Sequence, residues 1–171
     1  MRKSLLLFLI VICLPIRSLT QVLDSVSINI FDSLLIKAQA MMTQKDFSSA
    51  LIKLSEAEKL LLEKNGVETV QFGDVRFLQG RVAYLKRDFP QAEANYNDSK
   101  KIREKLLGKM HPEYTKCIMS IGVLYYVQGK FMQAEPYFLE GKLNYEKTVG
   151  TENLDYAKCM NNLAGIYNEQ G

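Results

Sequence analysis

A repeat of 42 residues constrains the fold of this chain more than any other feature of its sequence. Phe47, Phe89 and Phe131 are separated by 42 residues at each step. The same step relates three further sets, namely the glycines Gly66, Gly108 and Gly150, the alanines Ala50, Ala92 and Ala134, and the bulky residues Ile30, Phe72, Tyr114 and Tyr156. A period between about 20 and 50 residues is typical of solenoids, whose units pack only against their neighbours.

Each unit is predicted to form two helices. In the second half of unit three, apolar and small residues recur every three or four positions, at Phe131, Ala134, Phe138, Gly141 and Tyr145. This spacing places them on one helical face. The glycines at 66, 108 and 150 follow the second helices, where a left-handed residue commonly ends a helix. We therefore predict an all-α solenoid of helix–turn–helix units, near 30–71, 72–113 and 114–155, with a partial unit at 156–171.

Small residues recur inside the predicted helices as well. Ala38, Gly80, Gly122 and Ala164 keep the 42-residue step within the first helix of each unit. A small side chain lets two helix axes approach closely, while a neighbouring aromatic ring fills the remaining space. Glycine inside a helix is less favourable than alanine by about 1 kcal/mol. We therefore expect tight packing at Gly80 and Gly122 to offset that cost.

These residues carry a family resemblance. The pattern Ile118-x-x-Ile121-Gly122-x-x-Tyr125, followed by Ala134-x-x-x-Phe138, resembles the tetratricopeptide repeat, and Met160-x-x-Leu163-Ala164-x-x-Tyr167 begins another copy. The usual unit has about 34 residues. The longer unit here, with Asn161-Asn162-Leu163-Ala164, resembles the kinesin-light-chain-like branch. The resemblance covers residues 30–171 and implies a right-handed α-solenoid of about three and a half repeats, whose first helices line a concave groove for peptides or partner helices.

A second face of each first helix supplies the candidate groove residues. They are spaced four and then three residues apart: Leu35, Gln39 and Met42; Phe77, Arg81 and Tyr84; Met119, Val123 and Tyr126; Asn161, Gly165 and Asn168. The candidate partner-binding residues are Phe77, Arg81, Tyr84, Met119, Val123, Tyr126, Asn161 and Asn168. Packing against neighbouring helices is the alternative for Met119 and Val123, and equally for Phe77, Arg81 and Tyr84, because first helices are sandwiched.

No catalytic, cofactor-binding or metal-binding constellation stands out in the sequence. The single histidine, His111, lies in a predicted loop without the partners that a metal site or a catalytic triad needs. Cys117 and Cys159 are predicted to be small buried side chains, with a disulfide between them as the weaker alternative. The basic run Lys100, Lys101, Arg103 and Lys105 is predicted to be a solvated helix face. We expect neither an enzyme nor a cofactor, and a protein or peptide as the partner.

The N-terminal segment is typical of a secretory signal peptide. A positive start at Arg2 and Lys3 precedes the apolar run of residues 5–14, which Pro15 ends. We predict a signal peptide at 1–20 with cleavage near Thr20–Gln21, followed by a short linker at 21–29, and a secreted or periplasmic (cell-envelope) location. Cleavage would leave 19 basic and 19 acidic residues of the original 22 and 19. That balance gives no field to attract nucleic acid, and membranes are met only during export.

The sequence therefore predicts an exported scaffold that binds a protein or a peptide. The alternative is the N-terminal sensory or regulatory arm of a larger enzyme, a protease or a signalling kinase, with its catalytic domain beyond residue 171. The last predicted helix carries an apolar stripe of Met160, Leu163, Ala164 and Tyr167 without a second helix to cover it. We expect this helix to fray or to pair with a second molecule.

Overall fold

The computed structural model describes residues 16–64 and 67–170 of the 171-residue chain. Seven α-helices make up this part: α1 Ile16–Thr43, α2 Phe47–Lys64, α3 Val70–Leu85, α4 Phe89–Leu107, α5 Pro112–Tyr126, α6 Phe131–Thr148 and α7 Leu154–Gln170. The described residues contain no strand. None of their helices is long and apolar enough to span a membrane.

The helices pack as three consecutive pairs and one further helix. α1 packs with α2, α3 with α4 and α5 with α6, and each second helix also contacts the first helix of the next unit. The three second helices begin at Phe47, Phe89 and Phe131, the phenylalanines that set the sequence period. The predicted all-α repeat solenoid is thus confirmed, with α1, α3, α5 and α7 as first helices.

The turns inside the units share one backbone conformation. Lys45, Arg87 and Gly129 occupy equivalent positions and have φ of 62°, 62° and 71°. Only glycine adopts this left-handed region without a steric penalty, so the repeat imposes the same turn even where the residue is lysine or arginine. Gly108 and Gly150 follow second helices with φ of 85° and 81°, as predicted for a left-handed stop. Gly66 lies outside the described residues.

Small residues and bulky residues meet at equivalent points of successive units. A Cβ added to Gly80 would lie 2.6 Å from the Tyr96 ring, and one added to Gly122 would lie 2.9 Å from the Phe138 ring. The equivalent residues of unit one are Ala38 and Leu54, both fully buried. Units two and three thus pair a glycine with an aromatic ring, whereas unit one has an alanine and the smaller leucine at the same positions. The contacts at Gly80 and Gly122 confirm the close packing expected from the sequence.

The N-terminal part of the solenoid differs from the expected linker. Helix α1 begins at Ile16 and includes residues 21–29, so the predicted linker is helical in this structure. Its apolar composition and the absence of proline after Pro15 explain why the helix continues through it. Most of the predicted signal peptide, residues 1–15, lies outside the described residues, and its cleavage remains a prediction.

Candidate functional site

A groove of about 400 Å³ lies where the first helices of units one, two and three come together. Its apolar lining comes from Leu35 of α1, from Val70, Phe77 and Leu78 of α3, and from Leu107 of α4. Its polar lining consists of Gln39, Asp74, Arg81, Arg103, His111, Glu113 and Lys116. We call this feature the α1–α3–α5 groove. It combines a concave shape, an apolar floor and a few polar groups, the usual features of a ligand site.

Phe77 forms part of the floor of this groove. Its side chain is only 5% exposed, and its ring centroid lies 5.5 Å from that of Tyr96. The guanidinium carbon of Arg103 lies 4.9 Å from the Phe77 ring centroid, within the range of a cation–π interaction. Phe77 therefore belongs to both the core and the groove. The sequence left open whether Phe77 packs against neighbouring helices or lines a binding groove, and in the structure it does both.

Arg103 is buried beneath the groove, and the prediction that it belongs to a solvated basic face is wrong. It is 2% exposed, and its guanidinium binds the carboxylates of Asp74 and Glu113 at 2.7 and 3.1 Å. It also donates a hydrogen bond of 2.8 Å to the Glu113 carbonyl oxygen. A buried guanidinium requires such partners because desolvation of an unpaired charge is very unfavourable. Arg103 thereby joins α3, α4 and α5.

Two of the titratable groups around Arg103, Asp74 and Cys117, are shifted toward their neutral forms. Burial raises the pKa of Asp74, against the opposing hydrogen bond from Arg103. Burial also raises the pKa of the Cys117 thiol, although Arg103 and Ser99 lie within hydrogen-bond distance of its sulfur. A thiol with a raised pKa is a poor nucleophile, so this cluster serves to hold the helices together.

Arg81 is the cation that the groove leaves available. Its side chain is exposed, and it forms no ion pair with any residue in the described ranges. Lys116 instead lies 3.3 Å from the Glu113 carboxylate. His111 also has a local partner, because its Nδ1 accepts a hydrogen bond of 3.2 Å from the Glu113 backbone N–H and caps α5. The predicted loop histidine is thus a helix cap.

The remaining predicted site residues lie outside this groove. Tyr84 and Tyr126 are half-buried, and their rings pack 6.3 Å from Phe89 and 5.4 Å from Phe131. Met119 and Val123 pack against the core of units two to four, as the packing alternative predicted. Asn161 and Asn168 are exposed on α7. The structure therefore brings together only Phe77 and Arg81 of the eight, and adds Leu35 and Gln39 from unit one.

The charged residues that organise the groove were not predicted from the sequence. Arg103 occupies the position held by Leu61 in unit one and by Tyr145 in unit three. A charged residue inside an otherwise apolar stripe was therefore a signal for a buried ion pair. Its partners Asp74 and Glu113 lie on two other helices, and only the packing of those helices identifies them.

The two cysteines of the described residues lie in the core. Cys117 and Cys159 are buried free thiols, so the weaker alternative of a disulfide between them is wrong. The Cys159 thiol donates a hydrogen bond of 3.0 Å to the carbonyl oxygen of Phe138. Within residues 16–64 and 67–170, no cluster of three potential ligands could hold a metal ion.

Three solved structures share this architecture. The chain superposes on BtubC (BKLC) from P. vanneervenii with a TM-score of 0.74 and 16% identity, covering 81% of this chain and 55% of that one. A Podosopora anserina putative kinesin light chain with TPR-like repeats gives 0.71 and 15%, covering 80% and 64%. The Rap conjugation gene regulator of the plasmid pLS20, solved in complex with the Phr* peptide, gives 0.68 and 18%, covering 82% and 38%.

These comparisons bear on the fold. The chain spans between 38% and 64% of the length of the three proteins. No family profile and no curated protein sequence matches it. The structural likeness confirms the repeat architecture that the residue pattern predicted, including its likeness to kinesin-light-chain-like solenoids.

Proposed function

We propose that this chain, a helical-repeat protein with the tetratricopeptide-type fold, is a scaffold that binds a protein or a peptide in the α1–α3–α5 groove. The observation that carries the proposal is the juxtaposition of an apolar floor, formed by Leu35, Phe77 and Leu107, with the exposed Arg81, which pairs with no carboxylate of the described residues. The Rap regulator supports it, since that protein has the same architecture and was solved with a peptide.

The groove offers a ligand two kinds of contact. Apolar side chains of an extended peptide would cover Leu35 and Leu107, releasing water from apolar surface. Arg81 would donate hydrogen bonds to a carboxylate or carbonyl oxygen of the ligand, which is a common role of arginine at interface hot spots. The ion pairs of Arg103 with Asp74 and Glu113 hold the three helices in place beforehand, and such preorganisation lowers the entropic cost of binding.

A selection from a random peptide library, followed by calorimetric titration of the winning peptide, tests this proposal. We expect Arg81→Ala to weaken binding by about 2 kcal/mol, the typical loss at a hot spot, with an unchanged melting temperature. The matched control is Lys101→Ala, which removes an exposed cation from α4 outside the groove. Equal losses in the two variants, or binding that is indifferent to Arg81, would contradict the assignment of the groove.

Tyr84 is a poor choice for a second substitution in this test. Because the Tyr84 ring packs against Phe89, Tyr84→Ala would also remove core contacts and lower the stability. Gln39→Ala is the better companion to Arg81→Ala, since Gln39 is exposed in the same groove. We expect the two losses of binding to appear without a loss of helical signal.

Export is a further part of this proposal and rests on the sequence alone. The charged start, the apolar run of residues 5–14 and the small residues before Gln21 have the order of a signal peptide. N-terminal sequencing of the chain after expression in a secreting host should give a first residue near Gln21. Material that retains residues 5–14 would show instead that this segment remains attached.

A further inference from the structure

A second, smaller pocket of about 250 Å³ opens where α2, α3 and α4 meet, between the first two helix pairs. Leu51 of α2 and Asn95 of α4 line it on two sides, and α3 supplies more than half of the lining. We call this feature the α2–α4 pocket. It shares no lining residue with the α1–α3–α5 groove, and it is smaller than the sites of about 300–1,000 Å³ that hold drug-sized ligands. Its size therefore suits a single large side chain.

The equivalent space at the junction of units two and three is filled by two aromatic rings. Tyr125 and Tyr137 occupy the positions that Ala83 and Asn95 hold one repeat earlier. Their ring centroids lie 5.8 Å apart, and the Tyr125 hydroxyl donates a hydrogen bond to Glu93 of α4. The α2–α4 pocket is therefore the space that opens where the repeat carries an alanine and an asparagine in place of two tyrosines.

Asn95 brings a side-chain amide to this pocket without a partner for it. The residue is only 5% exposed, and its side chain forms no hydrogen bond within residues 16–64 and 67–170. The guanidinium of Arg76, which also lines the pocket, is bound by Gln79 and Glu58 at 3.1 and 2.7 Å. Because buried polar groups are nearly always hydrogen-bonded, the free amide of Asn95 indicates that a ligand completes this site.

The lining specifies two complementary parts of that ligand. Leu51, Val82 and Ala83 form apolar walls, which favour a ring like those that fill the next junction. The amide of Asn95 offers both N–H donors and a carbonyl acceptor, which match the C=O and N–H groups of a peptide bond. An aromatic residue of a peptide carries both parts, because its ring is attached to a peptide backbone.

The charges around the pocket do not favour an ion as the occupant. Lys86 and Asp88 are exposed lining residues of opposite sign. The one further charged lining residue, Arg76, is already paired with Glu58. A small anion or cation would therefore find no net opposite charge here, and it would leave the apolar walls uncovered.

We propose that the α2–α4 pocket binds an aromatic side chain of a partner protein, with the ring between Leu51 and Ala83 and a neighbouring peptide group hydrogen-bonded to Asn95. The ring replaces within this junction what Tyr125 and Tyr137 supply at the next one. This site is separate from the groove assigned to the peptide ligand, so each assignment can fail without the other.

An NMR titration of the 171-residue chain with N-acetylphenylalaninamide tests the proposal. We expect saturable shifts of the side-chain amide resonances of Asn95 and of Gln79, which lines the same pocket. The matched ligand N-acetylleucinamide should bind about fivefold more weakly, because its smaller side chain buries less apolar surface. Arg81→Ala should leave this binding unchanged, since Arg81 lies in the other site.

Two substitutions in the pocket and one beside it complete the test, with Gln79 as the reporter. Asn95→Leu keeps the volume of the side chain but removes its hydrogen bonds, so we expect about tenfold weaker binding with no fall in melting temperature. Ala83→Tyr should abolish binding, because it places in the pocket the ring that fills the next junction. Ala94→Tyr is the control, since it adds the same ring at an exposed position of α4 outside the pocket.

Four results would overturn the proposal. They are an absence of saturable shifts, equal binding of the leucine ligand, undiminished binding by Asn95→Leu, and an equal loss of binding in Ala94→Tyr and Ala83→Tyr. If Ala83→Tyr does not fold, the comparison of Asn95→Leu with the parent protein decides.

Discussion

The hydroxyl group of Tyr125 donates a 2.6 Å hydrogen bond to the carboxylate of Glu93, and this bond joins α5 of unit three to α4 of unit two. The relationship recurs 42 residues later, where Glu135 lies beside Tyr167 and raises its pKa. At the first junction the equivalent residues are Leu51 and Ala83, which are apolar. At this repeat position polar pairing joins the later units, whereas the first junction has its polar contacts elsewhere, between Glu58 of α2 and both Arg76 and Gln79 of α3.

Loss of the Tyr125 hydroxyl should lower the stability of the solenoid. We expect Tyr125→Phe to reduce the free energy of unfolding by about 1.5 kcal/mol, as for a hydrogen bond to a charged group that keeps some access to water. The matched control is Tyr84→Phe, whose hydroxyl has no hydrogen-bond partner within the described ranges. Urea denaturation of the two variants measures the difference, and equal stabilities would show that the bond contributes nothing.

Alkaline pH should unfold the protein through its tyrosines. Burial raises the pKa of Tyr145 to about 12, and burial with the Glu93 hydrogen bond raises that of Tyr125 further above its usual value of 10.0. The unfolded chain therefore ionises first, so the stabilisation is complete below about pH 10 and is lost as the pH rises toward the folded-state pKa values.

We expect the free energy of unfolding to fall steadily between about pH 10 and pH 12, as measured by urea titration at each pH. The slope should be shallower in Tyr125→Phe, because one group with a raised folded-state pKa has been removed. A parent protein whose stability stays constant through this window would contradict the burial of these hydroxyl groups.

Where a first helix crosses its second helix, the size of one side chain is matched to the size of the other, and this predicts that two substitutions are coupled. Gly122→Ala should destabilise the protein by about 1–3 kcal/mol, because the new methyl group meets the Phe138 ring. Phe138→Leu alone should leave a cavity and also destabilise it. The double variant reproduces the Ala38 and Leu54 pair of unit one, so its loss should be smaller than the sum of the two. Additive losses in a double-mutant cycle would refute the relationship.

Arg103 should be among the least replaceable residues of the chain. Arg103→Ala removes the partner of Asp74 and Glu113, and we expect a loss of about 3 kcal/mol, at the lower end of the values for broken buried ion pairs because both carboxylates keep partial contact with water. Arg103→Leu combined with Asp74→Asn should recover part of this loss, since unit one has Leu61 at the equivalent position. Thermal denaturation compares the three proteins. A variant Arg103→Ala as stable as the parent would mean that the ion pairs are not needed.

Much of the fold was predictable because the residues that make the same packing contact recur in each repeat of the sequence. Phe47, Phe89 and Phe131 mark the beginnings of the second helices, and Gly108 and Gly150 mark the ends of two of them. The candidate site was less predictable. Phe77 and Arg81 both line one groove. Met119 and Val123 instead pack against the core, because the helical period alone does not tell which of two apolar faces remains open.

The sequence by itself determined the unit length, the helix pairs and the small residues at their crossings, because these depend on spacing along one chain. Only the tertiary structure decided that Arg103 is buried between Asp74 and Glu113 and that Arg81 stays exposed. Each of these depends on residues from different helices coming together. The energy of a charge or of an apolar surface is set by those neighbours rather than by its own position in the sequence.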